Sequence, residues 1–205
     1  MDTHTSRRPR FDLSRILVID LEATCWRGDP PADETSEVIE VGNAVLHTGG
    51  LHVEPGPEIL VRPTRSSVSE FCTELTTLSP QVLEKRGVSF PQALDALLAA
   101  HGELKATVWA SYGEYDRRKL TEECQHHGIA FPLGDTHLNV KRVVAIMAGW
   151  PRETGMMRAI RRLGLEPVER STHHRGADDA VNIGRLLAVV LASSRERLSG
   201  PTPKR

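Results

Sequence analysis

Residues 16–24 read Ile-Leu-Val-Ile-Asp-Leu-Glu-Ala-Thr, and this stretch decides the fold that we predict. An apolar run of this length, rich in β-branched residues, is typical of a strand buried within a sheet. Because side chains alternate along a strand, Asp20 and Glu22 share one face. Two carboxylates lying side by side are costly unless a cation or a proton offsets their charge. The simpler alternative is an acidic turn that ends a strand.

The composition is that of an ordinary globular domain. The 205 residues are 39% hydrophobic and 26% charged, and the formal net charge is −1. Such a chain can form one domain with a sizeable core. Its charge gives no overall attraction to nucleic acid, although a local basic rim can suffice. No apolar run approaches the roughly 18 residues of a membrane span, and the first ten residues lack the apolar core of a secretory signal.

The cysteines indicate a reducing environment. They are odd in number, lie far apart and form no Cys-x-x-Cys pair: Cys25, Cys72 and Cys124. This pattern favours a cytoplasmic protein with oxygen ligands rather than thiolates at any metal site.

Glycine and proline residues divide the rest of the chain into predicted elements. Further strands are predicted at residues 37–48, 51–61 and 106–111, with a hairpin at Gly49-Gly50 between the first two. Helices are predicted at residues 75–83 (divided at Pro80), 90–101, 114–127, 138–149, 155–163 and 176–193. Residues 1–13 and 194–205 are expected to be flexible ends of a domain at residues 14–193. This order predicts an α/β fold with one mixed sheet.

A third acid is selected by helical spacing. In the helix predicted from residue 114, Asp116 is aligned with Leu120 and Cys124, and so it faces inward close to the end of a strand. An aspartate near a helix N-terminus is also favoured by the helix dipole alone. The basic residues that follow, Arg117, Arg118 and Lys119, are expected to point away from the core.

The last predicted helix supplies a fourth acid. Asp179 shares its apolar stripe with Ile183 and Leu186, whereas Asp178 is expected to face solvent. His174 lies five residues before Asp179, on the loop that enters this helix. A histidine near carboxylates can accept a proton at neutral pH, while we expect no chemical role for His173.

The predicted site therefore contains four acids and one histidine. A cluster of carboxylate oxygens suits hard cations such as Mg²⁺ or Mn²⁺. Two such ions about 3.5–4 Å apart are the usual arrangement for attack of water at phosphorus.

These residues resemble the DEDD superfamily of 3'-5' exonucleases, in its histidine-containing (DEDDh) branch. The three motifs appear in order as Asp20-Leu-Glu22-Ala-Thr, Tyr112-Gly-Glu-Tyr-Asp116, and His174 followed by Asp179. Residues 71–76, 139–141 and 163–165 also resemble the Eri1-like subgroup, which acts on histone mRNA and small RNAs. The resemblance covers roughly residues 14–193. It implies a ribonuclease H-like α/β fold, with a mixed five-stranded sheet and helices packed on both sides.

The resemblance also implies roles for the matched residues. The four acids, Asp20, Glu22, Asp116 and Asp179, would hold two ions of Mg²⁺ or Mn²⁺, with Asp20 bridging them, and His174 would deprotonate the attacking water. Substrate contacts would come from Glu22, Ala23, Thr24, Leu75 and His174. Basic residues expected along the approach are Arg117, Arg118, Lys141, Arg142, Arg158, Arg161, Arg162 and Arg175.

The leading hypothesis is a metal-dependent exonuclease acting on single-stranded 3' ends, with RNA favoured over DNA. One alternative is a DNA-preferring proofreading-type or short-oligonucleotide exonuclease. Another is a non-catalytic module that binds nucleic acid, which predicts that at least one acid is missing. All four are present.

Overall fold

The predicted buried strand is the central strand of a five-stranded sheet. In the computed structural model, which describes residues 12–168 and 175–199, the strands are β1 (Asp12–Ala23), β2 (Val38–His47), β3 (His52–Pro55), β4 (Thr107–Ser111) and β5 (His137–Asn139). Their order is β3-β2-β1-β4-β5. Strands β1, β2 and β3 pair antiparallel, whereas β4 pairs parallel with β1 and with β5. The mixed five-stranded sheet is therefore confirmed.

The helices of the described residues cover both faces of this sheet. They are α1 (Glu70–Thr76), α2 (Pro80–Arg86), α3 (Phe90–His101), α4 (Tyr115–His126), α5 (Val140–Met147), α6 (Met156–Arg162) and α7 (Gly176–Ser199). Leu17 and Ile19 of β1 pack in one core with α3 and α4. Ile16 and Val18 face the opposite core, which contains residues of α5, α6 and α7. Asp20 and Glu22 continue this second face, toward α7.

Several elements differ from the sequence prediction. Strand β1 begins at Asp12, within the predicted lead-in, and α1 begins at Glu70, five residues before the predicted helix. Strand β3 ends at Pro55 because Pro55 and Pro57 cannot donate ladder hydrogen bonds.

Strand β5 was missed because it is only three residues long and leads directly into α5, whose N-cap is Asn139. Helix α7 continues past residue 193 to Ser199, because residues 194–199 contain no glycine or proline that would end it. The predicted flexible ends lie largely outside the described residues.

Lys119 corrects the prediction that this side chain points away from the core. It is buried, its Nζ lies 3.2 Å from Glu123 Oε1, and it donates to the carbonyl of Ser36. Arg65 in turn donates to Glu123 at 2.7 Å. An ion-pair network thus draws the lysine inward between α4 and the loops, which helical spacing alone could not reveal.

Among the described residues, no helix is both long and apolar enough to cross a membrane.

Two glycines let the start of α7 approach the sheet closely. A Cβ atom on Gly42 of β2 would lie 1.9 Å from the carbonyl carbon of Gly176, and one on Gly176 would lie 2.9 Å from the backbone oxygen of Asp20. Both distances are shorter than real Cβ contacts allow. Because Gly42 pairs with Asp20 across the β1–β2 ladder, this contact brings the first turn of α7 beside Asp20.

We expect Gly42→Ala to lower the free energy of unfolding by about 1–3 kcal/mol, because the added methyl group forces α7 away from the sheet. Urea denaturation measures the change. Gly28→Ala is the matched control, since a Cβ there meets no atom within 4 Å. Equal stability of the two variants would contradict the close packing.

Candidate active site

A cavity of about 320 Å³ lies where β1 ends, between α4 and α7. All four predicted acids line it, as do the predicted contact residues Ala23 and Leu75. The other lining residues are Leu21, Cys25, Tyr112, Tyr115 and Met156. The fold thus brings together side chains that are widely separated in the sequence.

Three of the acids form a tight cluster. Asp20, Glu22 and Asp179 each offer a ligand atom, and these atoms all lie within 4.8 Å of one another. Asp20 and Glu22 stand on the same face of β1, as alternation predicted. Asp179 is buried in the first turn of α7, whereas Asp178 is partly exposed. Helical spacing therefore distinguished the inward aspartate correctly.

Asp116 is held beside this cluster from the other flank of β1. Strand β4 runs parallel to β1, so the chain leaves β4 and enters α4 near the end of β1. Asp116 is buried, and its Oδ1 accepts a hydrogen bond from the Leu21 N–H at 2.9 Å. This bond ties α4 to the residue between Asp20 and Glu22.

The acids repel one another strongly when ionised. Burial, followed by the charges of Asp116, Asp179, Glu22 and Glu40, raises the pKa of Asp20 well above its usual value. Burial and the charges of Asp179, Glu40 and Asp116 raise the pKa of Glu22 to about 8. Burial also raises the pKa of Asp116, against the opposing effect of the Leu21 hydrogen bond. Without a cation, the site therefore retains protons at neutral pH.

The donor set fits a hard divalent cation. The clustered ligand atoms are carboxylate oxygens, which Mg²⁺ and Mn²⁺ prefer. Cys25 also lines the cavity, but burial and the neighbouring Cys72 raise the pKa of its thiol to about 12. Cys25 is thus a poor thiolate ligand at neutral pH.

Thr24, predicted as a substrate contact, does not line the cavity. Its side chain is buried, accepts a hydrogen bond from the Glu37 N–H at 2.9 Å and lies 2.8 Å from Ser66 Oγ. Strand alternation alone would place Thr24 on the same face as Asp20 and Glu22, but the β1–β2 register shifts after Glu22 and β1 ends at Ala23, so the Thr24 side chain lies outside the cavity. The predicted base, His174, lies outside the described residues.

Five lining residues were not predicted as site residues: Leu21, Cys25, Tyr112, Tyr115 and Met156. Tyr112 and Tyr115 belong to the second motif, so the sequence could have indicated that they line the site. Met156 comes from α6, where no sequence motif indicates a contact with the site. The Tyr112 hydroxyl donates to the Thr154 carbonyl at 2.8 Å. This bond attaches the loop before α6 to the segment that carries Asp116, and it fixes the wall that Met156 contributes.

A further acid close to the site, the buried Glu40, attaches α7 to the sheet. Its carboxylate accepts hydrogen bonds from the Gly176 N–H at 3.0 Å, the Ala177 N–H at 3.3 Å and Arg175 Nε at 3.2 Å. Arg175 also donates to Glu58 at 2.7 Å. Arg175, predicted along the substrate approach, is therefore engaged inside the protein. An acid within the apolar β2 was the only sequence signal for Glu40.

We expect Glu40→Gln to lower the free energy of unfolding by about 3 kcal/mol, because it leaves Arg175 and the start of α7 without their buried negative partner. Glu58→Gln is the matched control. It contacts the same arginine from a more exposed position, and we expect a loss below about 1 kcal/mol. Equal losses by urea denaturation would refute a special role for Glu40.

We expect the cation-free protein to lose stability as pH rises. The pKa of Glu22 is about 8 in the folded protein and 4.5 ordinarily, so the folded state favours the protonated form. Its contribution is complete below pH 4.5 and is lost as pH rises through about 8. Thermal midpoints measured in chelator should show this decline, and Glu22→Gln should make it shallower, while Asp20 and Asp116, whose pKa values are also raised, keep part of it. Glu196→Gln, at an exposed acid on α7, should leave the decline in place.

Comparison with known proteins agrees with this geometry. A family model described as Exonuclease matches residues 17–187. The 3'-5' exoribonuclease 1 of Rattus norvegicus is 30% identical over 190 residues, which cover 88% of this chain and 54% of that protein. The chain therefore spans about half the length of this curated relative.

Solved structures share the fold. The nuclease domain of 3'hExo, a DEDDh family member bound to rAMP, superposes with a TM-score of 0.77 at 26% identity, covering 88% of this chain and 92% of that domain. A 3'-exonuclease, from a structure of 3'-end specific recognition of histone mRNA stem-loop, superposes with a TM-score of 0.79 at 26% identity. The match covers 92% of this chain and 67% of that chain. The ribonuclease H-like fold and the predicted resemblance are confirmed, and the chain belongs to the exonuclease family as a homologue of 3'-5' exoribonuclease 1.

Proposed function

We propose that this chain is a divalent-metal-dependent 3'-5' exonuclease that removes nucleotides from single-stranded 3' ends, with RNA preferred to DNA. One observation carries the proposal: acids from β1, α4 and α7 converge on a single cavity. A non-catalytic binding module has no need of four mutually repelling carboxylates in one cavity, two of them buried, because such an arrangement is energetically costly.

The four acids, Asp20, Glu22, Asp116 and Asp179, are the residues that would hold two ions of either Mg²⁺ or Mn²⁺. When bound, the ions supply an activated water and stabilise the leaving oxygen of the phosphodiester. The Leu21 N–H fixes one oxygen of Asp116, and the Glu40 contacts fix the helix that carries Asp179. The protein thereby prepares the oxygen positions before any ion arrives.

His174 is proposed to take the proton of the attacking water. Support comes from its motif position and from its covalent neighbour, because Arg175 is anchored by Glu40 and Glu58. An imidazole suits this role because its ordinary pKa lies close to neutrality.

The cavity is proposed to receive one terminal nucleotide. Its volume of about 320 Å³ is at the small end of ligand pockets, which suits a single strand end rather than a duplex. Leu75 of α1 and Tyr115 of α4 provide its apolar side walls, against which a base can pack. The strand segment around Glu22 and Ala23 would receive the sugar, while Thr24 would support this segment through Ser66 and Glu37.

The proposed preference for RNA is supported by the relatives. One is a 3'-5' exoribonuclease, one structure contains rAMP, and another concerns a histone mRNA stem-loop.

The three cysteines are free thiols in the structure, and we propose that the protein works in the reducing cytoplasm, as its cysteine pattern predicted.

The direct test uses 5'-labelled RNA and DNA oligomers, single-stranded or with 3' overhangs, incubated with Mg²⁺, Mn²⁺ or chelator. Cation-dependent shortening from the 3' end, faster on RNA, is the expected result. Faster shortening of DNA would favour the proofreading-type alternative. Cleavage of circular RNA would show an endonuclease instead.

We expect Asp179→Asn to reduce hydrolysis by at least about 10³-fold, because one ion loses a charged ligand. The matched control is the neighbouring Asp178→Asn, which should keep near-full activity since its side chain lies off the inward stripe. Similar activity of the two variants would refute the assignment of Asp179 to the site.

We expect His174→Ala to slow turnover while the affinity for Mn²⁺, measured by calorimetry, stays the same.

A further inference from the structure

The basic residues predicted along the substrate approach differ in their availability. Five of the eight already have partners: Lys141 and Arg142 pair with Glu153, Arg118 with Glu122, Arg175 with Glu40, and the Arg162 guanidinium lies 4.1 Å from the Trp150 ring centroid. Within residues 12–168 and 175–199, Arg117, Arg158 and Arg161 have no ion pair within 4 Å. Among the eight basic residues predicted along the approach, these three arginines are therefore the ones without a charged or aromatic partner in the part of the chain that the structure describes.

Two of these arginines lie beside the catalytic cavity. Arg158 and Arg161 line a second cavity of about 460 Å³, and Met156 lines both this cavity and the catalytic one. The two cavities are thus neighbours that share a wall. Arg117 instead lines a cavity that has no residue in common with the catalytic one.

Helix α6 presents these two arginines together. They are three residues apart and exposed, so they stand on one side of the helix. Ala159 and Ile160, on the opposite side, are buried in the core against α7. The preceding loop is attached to the second motif through the Tyr112–Thr154 hydrogen bond. The spacing between the arginines and the catalytic cavity is therefore fixed by packing.

The charge in the second cavity favours an anion. Its one acid, Glu153, lies 2.8 Å from Arg142 Nε and 3.8 Å from Lys141 Nζ. Those two partners offset its charge, which leaves the positive charges of Arg158 and Arg161 in excess. A phosphodiester backbone is the anion that a neighbouring nuclease site would supply, and arginine matches phosphate geometry well.

We propose that Arg158 and Arg161 bind the phosphates on the 5' side of the scissile bond. The inference rests on the proposed function. If the 3'-terminal nucleotide occupies the catalytic cavity, every remaining phosphate of the strand lies on its 5' side, and the adjoining cavity is where the next of them arrive. The arginines would thus set the affinity for longer strands without touching the reacting atoms.

The test compares two RNA substrates in the double variant Arg158→Gln/Arg161→Gln. The dinucleotide NpN has only the scissile phosphate, whereas a single-stranded 12-mer has many more. We expect KM for the 12-mer to rise on the order of tenfold at low salt with kcat unchanged, and both constants for NpN to stay the same. The slope of log(kcat/KM) against log salt should become shallower by about 1.4, which is two phosphate contacts on a single strand.

Arg195→Gln is the matched control. Arg195 is an exposed arginine on α7, sixteen residues after Asp179 and hence about 24 Å along the helix from the site. It should leave all constants unchanged, and thermal midpoints should show that every variant is folded. An unchanged KM and salt slope for the 12-mer, or an equal rise of KM for NpN, would overturn the proposal.

The same variants should also be compared for binding of a labelled 12-mer in chelator, by fluorescence anisotropy. Failure of the wild-type protein to hydrolyse either RNA would refute the proposed function alone. Weaker binding in the double variant, with Arg195→Gln unchanged, would still support the phosphate site, and identical binding in all three proteins would refute it.

Discussion

The contact between Glu40 and the start of α7 is the interaction on which the site depends. Asp20 and Glu22 come from a central strand, whereas Asp179 comes from the last helix of the described chain, and nothing in their local sequence brings them together. The Glu40 carboxylate binds Arg175 and two N–H groups of the first turn of α7. The glycine pair at residues 42 and 176 removes the side chains that would block this approach.

The protein holds mutually repelling carboxylates together in one cavity, with Asp116 and Asp179 buried and Asp20 and Glu22 half-buried. Burial and mutual repulsion raise the pKa of Asp20 and of Glu22, the latter to about 8. Hydrophobic packing of helices on both faces of the sheet stabilises the fold and offsets this unfavourable electrostatic energy. Rigid packing on each side keeps the acids from moving apart, which is the relaxation that would otherwise relieve their repulsion.

Much of this site could be predicted from the sequence, because local periodicity governs the orientation of its side chains. Strand alternation placed Asp20 and Glu22 together, and helical spacing separated Asp179 from Asp178. Tertiary contacts govern the rest. Lys119 is buried by ion pairs with distant loops, Thr24 turns away from the cavity beyond a shift in strand register, and Met156 reaches it from a helix with no motif. Strand β5 was too short for periodicity to indicate.

The distribution of the acids along the chain also has a consequence for biosynthesis. A ribosome delivers Asp20, Glu22 and Asp116 well before α7 emerges, and domains generally fold as units once their last elements are available. Until residues 176–199 leave the exit tunnel, Glu40 has no helix to bind and the acid cluster lacks one member. A nascent chain therefore stays beside its own messenger RNA with an incomplete acid cluster, which becomes complete only when that helix docks.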